Sequence, residues 1–310
     1  MQLFPFWEPN PTMRIGAVSY LNTKPLVYDL QRLAPDHELV LDIPSRLADE
    51  LAAGRLDVAL IPSVEFFGKK DYLIVSDACI ACRGPVRSVQ LLSRVPVANI
   101  RRLALDEGSR TSAVLVQVLL KRLWGVSAEL STLPMEAPPY SASSDALLVI
   151  GDRAMHPPPG LFVEQLDLGE VWCRWTGLPF VFAMWVARRT DAAGERSIAR
   201  EATLAALSRQ LAAARDLGLA HVEQIAAAEH AAAGLSHAEC VAYFREHLYF
   251  YLGPRERAGL ERFYQEASAL GLVPGGQALR LEEACGADLG GLPVAAASSQ
   301  PVSDAVSVRP

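Results

Sequence analysis

The sequence predicts an α/β protein built as two lobes around a cleft. Three observations carry this expectation. Strand-length apolar runs alternate with segments of helical spacing in two separate blocks, paired extended segments join those blocks, and alanine-rich helical sequence returns at the end. The 310 residues suffice for two modest domains.

The first block opens with the apolar run Ile15 to Tyr20, which stops at the polar turn Leu21-Asn22-Thr23. Pro25 then suits the first turn of a helix, where no N–H donor is needed, and Leu26, Leu30 and Leu33 continue at helical spacing. Glu38 to Ile43 reads as a strand. A helix follows with Ser45 as its cap and Gly54 as its stop, and Val58 to Ile61 is the next strand. This β-α-β-α-β order predicts parallel strands with right-handed crossovers. Tyr72 to Cys82 and Ser88 to Leu92 are β-rich and separated by the Gly84-Pro85 turn.

The second block starts with a strand at Arg102 to Leu105 and a polar turn at Asp106 to Ser112. A helix over Ala113 to Trp124 comes next, with Val114, Val118, Leu119 and Leu123 on its apolar positions. Strands at Ala128 to Leu133 and Ala146 to Ile150 follow, then the extended Pro157-Pro158-Pro159 and the strand Phe180 to Ala187. Beyond Glu195 the pattern is helical, broken near Gly218, Gly234 and Gly253; Leu260, Phe263, Tyr264 and Ala267 mark the last apolar face. The expected division is a discontinuous lobe over 13–100 and 178–285 and an inserted lobe over 101–177. Residues 1–12 form an extension and 286–310 an aperiodic, disordered tail. Two crossing segments make a hinge, and the cleft between the lobes is the natural ligand site.

Composition excludes several functions. With 29 basic and 35 acidic residues (net −6) and no basic run, a nucleic-acid surface is not expected. The longest apolar stretches, such as Phe180 to Ala187, are too short to span a bilayer. The N-terminus carries Pro5, Pro9 and Pro11 and does not read as a secretory signal, so a cytoplasmic location is expected. There the five cysteines (Cys79, Cys82, Cys173, Cys240, Cys285) stay reduced. Cys79 and Cys82 have CxxC spacing, but no second pair or nearby His completes four ligands, and no metal site is expected. No phosphate-cradling glycine motif is present, and no His has an evident nucleophile partner. No cofactor is expected, and the oligomeric state is left open.

Candidate site residues lie where strands meet helix starts. Asn22 and Thr23 stand at the first such turn, where unpaired N–H groups and the helix dipole make an anion seat; the alternative is an ordinary βα unit with Asn22 as a cap. Ser109, Thr111 and Ser112, after Gly108, form the second seat, or simply cap their helix. Two seats facing one cleft fit a small dicarboxylate. Ser88 follows the Gly-Pro turn, where its hydroxyl either projects into the cleft or bonds the backbone. Asp152 and Arg153 follow a buried strand, as ligand residues or as an ion pair. Thr176 stands at the second crossover, where it can line the cleft; Trp175 and Phe180 are core or cleft wall.

Five blocks, in order, resemble the chorismate dehydratase family of the futalosine route to menaquinone. They are Ser19-Tyr20-Leu21-Asn22-Thr23-Lys24-Pro25-Leu26, Ala59-Leu60-Ile61-Pro62-Ser63-Val64-Glu65, Gly84-Pro85-Val86-Arg87-Ser88-Val89, Ile150-Gly151-Asp152-Arg153-Ala154 and Trp175 to Ala183. The resemblance covers about residues 13 to 270. It implies a type II periplasmic-binding-protein-like fold, chorismate as the dicarboxylate substrate, and a cofactor-free hydro-lyase giving 3-(1-carboxyvinyloxy)benzoate. It also implies substrate contact by Asn22 and Ser88, here expected to be catalytic. The base is left open between a protein group and the substrate; because no His or Glu stands out within the matching blocks, the hypothesis is that the substrate's own enolpyruvyl carboxylate removes the C3 proton. The sister family of the same pathway, which makes dihydroxynaphthoate, resembles this chain less: a His stands there in place of Gly151. A non-catalytic carboxylate-binding protein is the remaining alternative.

Overall fold

The computed structural model describes residues 12–138, 140, 142–190, 194 and 197–275. Most of the expected N-terminal extension, residues 276–285 with Cys285, and the 286–310 tail lie outside the described residues. β1 (Arg14–Val18) leads into a 3-10 helix (Leu21–Val27), the single-turn α1 (Leu30–Leu33), β2 (Glu38–Asp42), α2 (Pro44–Ala52) and β3 (Val58–Pro62). A 3-10 turn (Ser63–Phe66) precedes the long β4 (Tyr72–Cys82). Then come β5 (Val89–Ser93), β6 (Arg102–Asp106), α3 (Arg110–Trp124), β7 (Glu129–Leu133), β8 (Ala146–Ile150), β9 (Glu164–Asp167) and α4 (Leu168–Thr176). The chain returns through β10 (Phe180–Arg188) to α5 (Ile198–Ala220), α6 (Val222–Glu229), α7 (His237–Ala242), a π turn (Tyr243–His247), β11 (Tyr249–Tyr251) and α8 (Pro254–Ala269).

The strands form two mixed sheets, one per lobe. The first has the order β11-β4-β10-β3-β1-β2 and the second β7-β6-β8-β5-β9. β1 is parallel to β2 and β3, as the β-α-β-α-β pattern predicts, while β10 lies antiparallel between β3 and β4. In the second sheet β6 is parallel to β7 and β8, and β5 is antiparallel to β8 and β9.

Three expectations need correction. Val89–Ser93, expected in the first lobe, belongs to the second sheet, pairing Val89 with Ile150. The chain therefore crosses at residues 83–88, where Gly84-Pro85 ends β4's run, and not near residue 101. Ser45 is no cap: Pro44 occupies the first helical position after the extended Ile43. Pro25 begins no long helix either. It sits inside the 3-10 helix Leu21–Val27, and Asp29, with φ +56°, separates that turn from α1.

Close packing fixes both the first turn and the second crossing. A Cβ added to Gly218 of α5 would lie 2.1 Å from the Pro25 carbonyl oxygen, so that helix rests directly on the Leu21–Val27 backbone. Gly259 of α8 approaches the Pro179 carbonyl as closely. Beside it Trp172, Phe180 and Phe263 pack edge to face, with centroid distances of 5.3 Å (Trp172–Phe180) and 4.9 Å (Phe180–Phe263). Trp172 Nε1 also donates to the Pro179 carbonyl at 3.1 Å.

Candidate active site

A cavity with about 480 Å³ of empty volume, open to solvent, lies between the two sheets. Val18, Tyr20, Asn22, Pro44, Pro62, Ile80, Phe182 and Ala183 line it from the first lobe. Val89, Ser109, Ser112, Ile150 and Gly151 line it from the second, and Val86 and Ser88 from the crossing between them. None of these lining residues is a Lys, Arg, His, Asp or Glu. Its polar side chains are the Asn22 amide, three serine hydroxyls and the Tyr20 phenol.

Each of these groups is held by a neighbour. The Asn22 Oδ1 accepts from the buried Thr23 hydroxyl at 3.2 Å, leaving the amide N–H₂ as the donor. Thr23 thus orients Asn22 and is not itself among the lining residues. Ser109 caps α3: its Oγ accepts from the Ser112 N–H at 3.2 Å and donates to the Ser112 Oγ at 3.0 Å. The Ser112 hydrogen remains available, and the N–H groups of Arg110 and Thr111 in that first turn have no intrahelical partner. Ser109 thus serves as cap and lining at once.

Thr111 turns the other way. Its hydroxyl accepts from Val64 N–H at 3.2 Å and contacts Ser63 Oγ at 3.4 Å, joining α3 to the first lobe. Ser63 gives its hydrogen to the Val181 carbonyl at 2.7 Å. Arg110 strengthens the same junction, reaching Glu65 at 3.0 Å and Asp49 at 2.8 Å.

The anion seat expected at the first turn already has an occupant. The Leu21 N–H donates to the Asp152 carboxylate, at 3.2 and 3.4 Å to its two oxygens. Asp152 thus ties the end of β8 to the Leu21–Val27 turn, and burial raises its carboxyl above the usual range, opposed by that N–H. Arg153 is not its partner. The guanidinium binds Asp106 through Nη2 at 2.6 Å and Nε at 3.0 Å, and donates to the Met135 carbonyl at 3.0 Å. Asp106 is fully buried and also accepts from Gly108 N–H (2.9 Å) and Ile150 N–H (3.2 Å), so it fixes the turns that carry Ser109 and Gly151. Burial raises its carboxyl, and Arg153 with the two N–H groups counters this.

Thr176 is also a structural residue. Its hydroxyl donates to the Trp172 carbonyl at 2.9 Å and accepts from Leu178 N–H at 3.1 Å, closing α4. The cavity therefore gathers Asn22, Ser88, Ser109 and Ser112 from the expected set. Thr23, Thr111, Asp152 and Thr176 lie behind or beside it in supporting contacts.

Ser88 occupies the crossing, 1% exposed. Its carbonyl accepts from Gly151 N–H at 2.9 Å. Arg87 before it adopts the left-handed region, φ +62°, a strained choice for a non-glycine residue. The Asp167 carboxylate holds that bend: it accepts from Val86 N–H at 3.0 Å, Arg87 N–H at 2.6 Å, Gln90 Nε2 at 3.0 Å and Glu170 N–H at 3.0 Å.

Three contributors escape sequence reasoning. Asp167 has no distinguishing signal in its local sequence. Tyr20 stands within a recognised block, and its ring covers Gly151, where a Cβ would meet it at 3.3 Å. Burial, then Asp106, holds its phenol protonated well above the usual range, so it is a neutral donor. Tyr243, fully buried on the π turn, donates from Oη to Ser88 Oγ at 2.9 Å across 155 residues of sequence.

Among the described residues no His/Cys/Asp/Glu group is arranged to hold a metal, and no helix is long and apolar enough to cross a membrane.

Comparison with known proteins places this architecture. A family model described as menaquinone biosynthesis matches residues 13–269. A chorismate dehydratase of Thermus thermophilus is 29% identical over 276 residues, covering 83% of this chain and 95% of its own length. One from Campylobacter jejuni is 24% identical over 276 residues, covering 84% and 100%. Among solved structures, an Archaeoglobus fulgidus protein superposes with a TM-score of 0.69 at 15% identity, over 84% of this chain and 98% of its own. The periplasmic aliphatic sulphonate binding protein of Escherichia coli gives 0.56 at 15% identity, over 96% and 99%. The fold is thus periplasmic-binding-protein-like, as expected.

Proposed function

The chain belongs to the menaquinone-biosynthesis family, and from that premise we propose that it is a chorismate dehydratase. It would convert chorismate to 3-(1-carboxyvinyloxy)benzoate and water, as a hydro-lyase on the futalosine route. The observation that carries this reading is the cavity's uncharged polar lining, with hydroxyl and amide donors facing it from both lobes. A dicarboxylate there is met by dipoles aimed at it, not by counter-charges, which is how a site stabilises charge that spreads during reaction.

In this reading the ring carboxylate rests at the first turn of α3, beside Ser109 and Ser112, and Asn22 holds the substrate from the opposite lobe. The C3–H bond is weakened because its electrons pass into the double bond conjugated to that carboxylate. The substrate's enolpyruvyl carboxylate takes the C3 proton. The electron pair forms the C3–C4 double bond, and the C4 hydroxyl leaves with a hydrogen bond from Ser88. The abstracted proton completes the departing water, so substrate and product carry equal charge. Aromatisation supplies the driving force, and the protein contributes orientation and donors.

Purified protein incubated with chorismate, against a protein-free control, tests this by chromatography and proton spectra of the product. Enzyme-dependent 3-(1-carboxyvinyloxy)benzoate is the expected result. Saturable chorismate binding without any product would instead leave a carboxylate-binding protein.

A further inference from the structure

Beyond the bond from Ser88 N–H to the Val86 carbonyl, three further contacts restrain this residue, and two of them act on the backbone. Asp167 clamps the Val86–Arg87 bend, and the Gly151 N–H fixes the Ser88 carbonyl. The third acts on the hydroxyl alone: Tyr243 Oη donates to Ser88 Oγ at 2.9 Å. Among the described residues the acceptor for the Ser88 hydrogen is the Val86 carbonyl at 3.4 Å, a long contact to an oxygen that already takes the Ser88 N–H at 2.7 Å.

A hydroxyl has one hydrogen and two lone pairs. With the phenol hydrogen on one lone pair, Ser88 Oγ keeps its own hydrogen to donate, and the cavity it lines offers that hydrogen a direction other than the long contact to Val86. Tyr243 itself is 0% exposed and outside the cavity lining. Burial keeps its phenol protonated far above the ordinary range, so its hydrogen stays on its own oxygen. The residue is presented by a π turn, Tyr243–His247, directly after α7; such turns recur where a helix aims a side chain for function.

We propose that Tyr243 is a positioning residue for the leaving-group step, occupying one lone pair of Ser88 Oγ and orienting the hydroxyl so that Ser88 presents its hydrogen to the departing C4 hydroxyl. This rests on the chorismate dehydratase reading. No bond to Tyr243 forms or breaks: the phenol polarises and orients the serine hydroxyl, and the product water takes the proton removed from C3.

The test is steady-state kinetics on chorismate with wild type, Tyr243→Phe, Ser88→Ala and the double variant. Tyr243→Phe is expected to lower kcat by about tenfold with KM little changed, since one transition-state hydrogen bond is misdirected. In the Ser88→Ala background the same change is expected to lower kcat no further. An unchanged kcat, or the same loss in both backgrounds, overturns the proposal and leaves Tyr243 a packing residue. Should Tyr243→Phe fail to fold, 3-fluorotyrosine at position 243 keeps the ring and strengthens the donor. It should then raise kcat when Ser88 is present and not when Ser88 is Ala; equal kcat refutes the role. A wild type that forms no product from chorismate sinks the functional reading and this proposal together. A fully active Tyr243→Phe sinks only the latter.

Discussion

Gly218→Ala should damage the active site from outside it. The added methyl would stand 2.1 Å from the Pro25 carbonyl oxygen and 2.8 Å from the Pro25 carbonyl carbon and Cα. Ordinary contact begins at 3.4 Å, so α5 and the Leu21–Val27 turn must part by about 1.3 Å. Both contacting parts are backbone, so no side-chain rotation relieves the clash. Alanine improves helix propensity by up to about 1 kcal/mol. Overpacking costs about 1–3 kcal/mol, toward its upper end for rigid partners. The net expectation is a loss of about 1–2 kcal/mol and a few degrees in Tm. Function should suffer more, because Asn22 belongs to the same turn as Pro25. A displacement of about 1 Å in an orienting group costs on the order of 10²-fold in rate. Melting curves together with chorismate turnover read both effects. A variant with wild-type Tm and turnover within about twofold refutes the packing argument. One with lowered Tm and full turnover refutes the transmission to Asn22.

Three further outcomes follow from the site. Ser88→Ala should lower kcat with little change in KM, while Asn22→Ala should raise KM as well, because a leaving-group donor acts mainly in the transition state; steady-state kinetics showing only a KM effect at Ser88 would reverse its role. Arg153→Met should strand the fully buried Asp106 carboxylate, at a cost of about 3–5 kcal/mol in urea unfolding, and a loss below about 1 kcal/mol would mean the two N–H donors suffice. Asp152→Asn probes pH dependence. Because burial raises the folded carboxyl, ionised Asp152 lowers stability above that raised value, and the penalty fades as pH falls toward the unfolded value of 3.8. Asparagine still accepts from Leu21 N–H, so the variant should match or exceed wild type in Tm at pH 7, with any advantage shrinking on acidification. An advantage that grows toward acid pH contradicts the assignment.

Local sequence carried the strand-to-helix turn at Gly108 to Ser112 almost intact. Asp106 ends β6, Ser109 caps α3, and Gly125 (φ +70°) ends it, because caps and stops depend on residues within a few positions. The long strands Tyr72–Cys82 and Phe180–Arg188 are legible for a similar reason, being largely apolar and buried on both faces, the first interrupted only at Ser76-Asp77 and the second ending at Arg188. The first turn departs from its local pattern because its shape is set from afar: α5 presses on Pro25, and Asp152 reaches Leu21 across 131 residues. Likewise, Asp152 and Arg153 are neighbours in sequence but leave the Gly151 turn toward different partners. The pairings that orient the site, Tyr243 with Ser88 and Thr111 with Val64, leave no periodic trace, since one hydrogen bond constrains one atom and not a pattern.

The position of β10 has a consequence for how the chain is assembled. β3 and β4 are made early, yet they never pair with each other; the strand that joins them is Phe180–Arg188, which leaves the ribosome only after the whole second sheet. Until then the first sheet is two separate pieces with open edges. The first lobe therefore cannot complete its sheet from one continuous stretch of chain, whereas all five strands of the second lie in a single stretch.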